Sequence, residues 1–166
     1  EYYHSDLFVI HVLQSGSSIY RNYVTHFQTG QEIVAGEEYM AEVKREIERN
    51  CFAVVNSCPS CDIFVTIGLP WEEILRCRRK VNADLILMKP YFEHIPNRSE
   101  RRKPMSSTVD EVIRHEHCPV MIVNQPLSNK QLKLKNILTC IDFSESCESA
   151  LKFVSGLASK YNSKVF

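Results

Sequence analysis

Short apolar runs alternate with amphipathic stretches along this chain, and that alternation restricts it to one broad architecture. Asp6–Gln14 reads DLFVIHVLQ, Asp62–Ile67 reads DIFVTI and Ala83–Met88 reads ADLILM. Pro119–Asn124 reads PVMIVN and Asn136–Ile141 reads NILTCI. Each run is near-continuously apolar over strand length, as expected of strands covered on both faces. Helical patterns separate them. Glu37–Asn50 carries Met40, Val43 and Ile47 at helical spacing, with charges between. Pro70 opens a second helix, where its missing N–H costs nothing, and Ile74, Leu75 and Val81 form the apolar face. Ser106 or Ser107 caps a third helix through Glu116, with Val109, Val112 and Ile113 facing inward. Thr108 and Glu111 have capping-box spacing and give an alternative start. Ser144 caps a fourth helix bearing Cys147, Ala150, Leu151, Val154 and Leu157, and a further strand begins at Lys164. Buried strands alternating with helices predict an α/β fold with a largely parallel sheet. In such sheets ligands bind beyond the carboxyl ends of the strands. Residues 15–35 read as a loop or partly helical insert, 56–60 as a turn, and 89–105 and 125–135 as loop and linker.

Composition removes several function classes. The 166 residues, 44% of them hydrophobic, suffice for a real core and argue against disorder. Twenty basic and twenty acidic residues cancel, so neither nucleic acid nor an acidic membrane is expected as a partner. No apolar run approaches the ~20 residues of a membrane helix. The odd count of seven cysteines reads as reduced thiols of a cytoplasmic protein. Only five glycines occur, and none lies between Gly68 and Gly156. That gap weighs against a glycine-rich phosphate loop, because a backbone wrapped round phosphate needs positive φ and close approach. No Gly-x-Ser-x-Gly elbow is present and the carboxylates fall on helix surfaces, so no catalytic residue is assigned and the chain is not expected to be an enzyme.

The pattern Tyr-polar-Ser-charged-aliphatic-Phe occurs at Tyr3–Phe8 and again at Tyr161–Phe166. Such a repeat suggests one unit giving way to the next. Asn136–Leu151 (NILTCIDFSESCESAL) resembles the first strand and first helix of a universal stress protein domain. Gly68–Ile74 resembles the segment after that domain's third strand, and Ala83–Met88 its fourth strand. Ser107–Val123 (STVDEVIRHEHCPVMIV) resembles its last helix and strand. The order is rotated, since the first strand-helix unit of the family stands last here.

The resemblance implies a three-layer sandwich of the adenine nucleotide alpha hydrolase-like kind. Its sheet would be parallel and five-stranded, in the order 3-2-1-4-5. Residues 1–124 would then form a domain without its own first strand-helix unit, 125–135 a linker, and 136–166 the first unit of a following or permuted domain. A tandem segment is the simplest account of that order. Asn136–Ile141 would fill the central place in its own chain or, by strand exchange, in a neighbour's. The resemblance also implies homodimers paired through the last strand, at Val120, Met121, Ile122 and Val123, and a cytoplasmic stress-response role without catalysis. Its nucleotide ligands would be ATP or AMP, near Asp142, Met88, Lys89, Ser106, Ser107, Thr108, Arg101 and Arg102. Lys89, Phe92 and Ser106 stand where ATP-binding members carry glycine. Either the site is degenerate, with the serines as caps and Asp142 ordering a turn, or Lys and Arg replace the glycine amides. Cys58 and Cys61 form a CxxC pair, suited to a redox dithiol or half a zinc site, or to no ligand at all.

Overall fold

The computed structural model describes residues 5–15, 22–26, 29–58, 60–89, 107–124 and 134–166. They belong to two compact units, Glu1–Ile122 and Val123–Phe166. The first unit runs β1 (Leu7–Gln14), β2 (Tyr23–Thr25), β3 (Glu32–Val34), α1 (Glu37–Asn50), α2 (Phe52–Ser57), β4 (Cys61–Gly68), α3 (Pro70–Val81), β5 (Ile86–Met88), α4 (Ser107–His115) and β6 (Val120–Ile122). The second runs β7 (Asn136–Ile137), α5 (Glu145–Tyr161) and β8 (Lys164–Val165).

The mixed α/β content and the parallel pairing agree with the sequence. β1 lies parallel to β4 from Leu7 opposite Cys61 to Gln14 opposite Gly68. β5 lies parallel to β6, with Ile86 opposite Val120. The helical stripe of α1 puts Tyr39 and Val43 into a core with Leu13, Val24 and Ala35, closed by Val65 and Ile67 of β4. Phe64, on the opposite face of β4, stacks with Phe8 and lies under the Lys80 ammonium of α3. This strand pair therefore has a helix on each face. A second core joins Leu75 of α3, Ile86 of β5 and Val112 of α4, with Trp71, Ile74, Met88 and Val120 around it. Val109 and Val112 are 1% and 0% exposed, which stabilises the docking of α4 by about 1.5–3 kcal/mol each.

The described strands pair two by two, not in one five-stranded sheet. Within the second unit Asn136–Ile137 pairs in parallel with Lys164–Val165. No described strand lies on the second edge of β1, apart from an antiparallel bridge of Ser15 to Val24, or on the second edge of β5.

Residues 15–35 are not helical where described. Tyr23–Thr25 and Glu32–Val34 form an antiparallel hairpin, because Val24 and Ile33 have β-branched stems and Gly30 supplies φ 71° in the turn. A short helix, α2, stands just before Cys58, reaching into the segment expected to turn. The apolar runs at 83–88, 119–124 and 136–141 are strands only over 86–88, 120–122 and 136–137, where a partner exists.

Two helices stop on the same device. Asn82 after α3 and Asn162 after α5 adopt the left-handed conformation, at φ 50° and 51°. Their N–H groups donate to Arg78 O and Ala158 O. Ala83 and Ser163 N–H groups donate to the same carbonyls.

Candidate functional site

The residues the sequence assigned to a ligand come from the carboxyl end of β5 and the start of α4. Because β5 and β6 are parallel, the connecting helix must run antiparallel to them, so α4 begins on the side where β5 ends. Met88 is half-buried and packs into the second core, so it is a wall residue. Lys89, the next residue, is exposed. Ser107 is the first residue of α4, and Thr108 beside it is half-buried. The first-turn N–H groups of α4 therefore face the same side as Lys89, which favours negative charge there. Ser106, Arg101 and Arg102 lie outside the described residues.

Asp142 belongs to the second unit and is exposed. Its Oδ1 accepts the Ser144 N–H at 3.0 Å, and Ser144 Oγ accepts the Cys147 N–H at 3.2 Å. The Ser144 hydroxyl, and after it the Ser144 N–H, hold the Asp142 carboxyl below the usual carboxylate range. Asp142 thus orders the turn into α5, and Phe143, between Asp142 and Ser144, takes φ 63° and is 93% exposed.

One group at the carboxyl end of β4 was not singled out from sequence. Glu73, in the first turn of α3, is buried and pairs with Arg76. A Cβ on Gly68 would meet Glu73 Oε1 at 3.0 Å and Cγ at 3.1 Å, and Gly68 has φ 157°. The signal was present in Gly68 standing five residues before a carboxylate at a helix start.

Cys58 and Cys61 are both free and half-buried. The Cys58 thiol donates to Ser60 O at 3.2 Å. Burial pushes the Cys61 thiol up, and the neighbouring Cys58, Asp62 and Cys51 raise it further. A raised thiol holds little thiolate, the nucleophilic and metal-binding form. No group of three or more His, Cys, Asp or Glu suited to a metal occurs among the described residues.

Val120, Met121 and Ile122 form β6, half-buried, with β5 on one side. Val123 comes directly after and is also half-buried. The turn into β6 is held by Glu116, whose Oε1 accepts the N–H groups of His117 at 2.8 Å and Cys118 at 3.2 Å. Arg78 Nε lies 3.5 Å from the same oxygen. Burial alone would raise the Glu116 carboxyl, but the two N–H donors and Arg78 together bring it below its usual value. Trp71 stacks on His115 beside this turn, with centroids 5.1 Å apart. Among the described residues no helix is long and apolar enough to cross a membrane.

Residues 3–124 match the model of the family described as the Universal stress protein family. No curated protein matches the chain. Among solved structures the chain is similar to hypothetical protein MJ0577, reported under structure-based assignment of biochemical function as a test case of structural genomics. That likeness has 16% identity and a TM-score of 0.41, and covers 74% of this chain and 78% of that one.

Proposed function

The chain belongs to the universal stress protein family, and from that premise we propose a non-enzymatic, cytoplasmic stress-response module with a degenerate nucleotide loop. The observation that carries the reading is the make-up of the segment after β5. Lys89 and Pro90 come directly after the strand, and no glycine occurs before α4 begins. Proline removes one backbone donor, and the other positions lack the freedom to turn their amides onto phosphate. Asp142 supports the same reading, since its carboxylate is engaged with Ser144. Seven free cysteines suit a reducing compartment. The module works as a homodimer through the outer edge of β6, which pairs with no other described strand and so invites a partner.

The alternative is an active ATP- or AMP-binding member in which Lys89, Arg101 and Arg102 supply the charge. Its support is the exposed Lys89 on the side where α4 begins. Isothermal titration with ATP, ADP and AMP separates the two. The degenerate reading expects no saturable heat at millimolar nucleotide. Saturable heat that disappears in Lys89→Ala would replace it with the alternative.

A further inference from the structure

The turn from β7 into α5 brings two thiols to one place. Of the seven free cysteines Cys140 is exposed, and the other six are half-buried. Cys140 lies beyond Thr139, whose N–H donates to Phe166 O. Its side chain, past that bond and in solvent, is free to change rotamer.

The chain then reverses. β7 and β8 are parallel, so α5 runs back between them and starts at the end where the 136–140 run finishes. The hydrogen bonds from Ser144 N–H to Asp142 and from Cys147 N–H to Ser144 fix that reversal. Cys147, in the first turn of α5, is thereby carried back over Cys140, and its Sγ comes to 4.0 Å from Cys140 O. Two bonds separate that oxygen from Cα of Cys140, so Cys147 Sγ lies within ~6.4 Å of that Cα. Bridged cysteines have their Cα atoms roughly 4.4–6.8 Å apart. A rotamer change at Cys140 with a small shift of the first helical turn brings the two sulfurs together.

Access also favours this pair. Burial raises the Cys61 and Cys77 thiols, which leaves them little thiolate to react. Cys140 meets a dissolved reagent directly, and Cys147 is the thiol held beside it.

We infer that Cys140 and Cys147 form a thiol–disulfide site that closes in the presence of a small disulfide. The Cys140 thiolate attacks one sulfur of the small disulfide. The small S–S bond breaks, a mixed disulfide forms on Cys140, and the thiolate that leaves takes up a proton. Cys147 then loses its proton, attacks Cys140 Sγ and expels the second small thiol. The protein gives up two hydrogens and two electrons, and the small disulfide is reduced to two thiols. The closed ring runs from residue 140 to 147 and contains Asp142 and Ser144, so a covalent bond takes over the tie that two hydrogen bonds make in the dithiol. In a reducing compartment the pair rests as the dithiol and closes when small disulfides accumulate. The site uses neither the segment after β5 nor the Cys58–Cys61 pair, and it does not depend on whether nucleotide binds.

The test treats the folded full chain with 2-hydroxyethyl disulfide, blocks remaining thiols with N-ethylmaleimide, and maps the products by mass spectrometry without reduction. Cleavage after Glu145 places the two cysteines in different peptides. A linked pair holding Cys140 and Cys147 is expected, and dithiothreitol should separate it. In Cys147→Ser, Cys140 should stop at the mixed disulfide and keep the hydroxyethyl adduct. In Cys140→Ser, Cys147 should stay reduced over the same time. In Ser144→Ala, which lacks the cap, the bridge should raise the temperature at which helical circular dichroism is lost. A lasting adduct on Cys140 in the unaltered chain, a bond from Cys140 to another cysteine or to a second copy, or equal reaction of Cys147 without Cys140 would overturn the inference.

Discussion

Replacing Glu116 by alanine should loosen the turn that aims β6. The carboxylate is only 7% exposed, and one oxygen accepts two backbone N–H groups and faces the Arg78 guanidinium. Hydrogen bonds to a charged acceptor contribute about 1.5–3 kcal/mol each. These two share an oxygen and a turn, so they do not add fully. Their loss also leaves Arg78, whose Nε is buried without a hydrogen bond, lacking its charge partner. Glu116→Ala should therefore cost about 2–4 kcal/mol. In a chain of this size each kcal/mol shifts the melting temperature by ~2–4 °C, so a fall of roughly 4–16 °C is expected. Glu116→Gln keeps an acceptor oxygen without the charge and should fall in between. Trp71, the only tryptophan, reports unfolding by its fluorescence. The pH dependence is a second check. The folded carboxyl titrates below its usual value, so its contribution is full above the ordinary glutamate pKa and is lost as pH falls through the folded value. The gap between wild type and Glu116→Gln should therefore close in acid. An alanine variant melting with wild type at neutral pH, or a gap that widens in acid, would refute the reasoning.

Gly68→Ala should destabilise by about 1–3 kcal/mol, because the new Cβ meets Glu73; the double variant Gly68→Ala/Glu73→Ala should recover part of that loss in urea unfolding. Ser144→Ala removes the acceptor for Cys147 N–H and should cost α5 about 1 kcal/mol, read as reduced helical circular dichroism on heating. Burial raises the Cys61 and Cys77 thiols, so limiting iodoacetamide near neutral pH should label exposed Cys140 before either, as mapped by peptide mass spectrometry. Labelling of Cys61 first would contradict that order.

What the sequence disclosed was carried by periodicity. The stripe Met40-Val43-Ile47, the Pro70 start and the Ser144 cap are local signals, and each marks the helix found. Strand length was less legible, because a strand needs a partner as well as a pattern. NILTCI has strand composition over six residues, yet the named strand covers only Asn136–Ile137. The hairpin at 23–34 was missed for a different reason. Its strands are three residues each, too short for alternation to stand out from a polar stretch. Of the candidate site, Lys89 and the α4 start were legible because they flank a strand and a helix. For Glu73 only the spacing from Gly68 was legible; burial of the carboxylate over that glycine depends on how α3 seats against β4.

The asparagines that end α3 and α5 give the glycine-poor composition a thermodynamic meaning. A left-handed residue with a Cβ is strained by up to ~1–2 kcal/mol, less for asparagine than for most. Glycine would remove that strain but add about 0.4–1 kcal/mol of entropy to the unfolded chain. The two effects nearly cancel, so Asn82 and Asn162 stop their helices about as well as glycine would. They also leave the denatured ensemble stiffer at both points. The same positions are closed to valine, isoleucine and threonine, whose branched stems cannot enter that conformation. Scarcity of glycine here marks where the helix stops have been written in a residue that restricts the unfolded chain as well as the folded one.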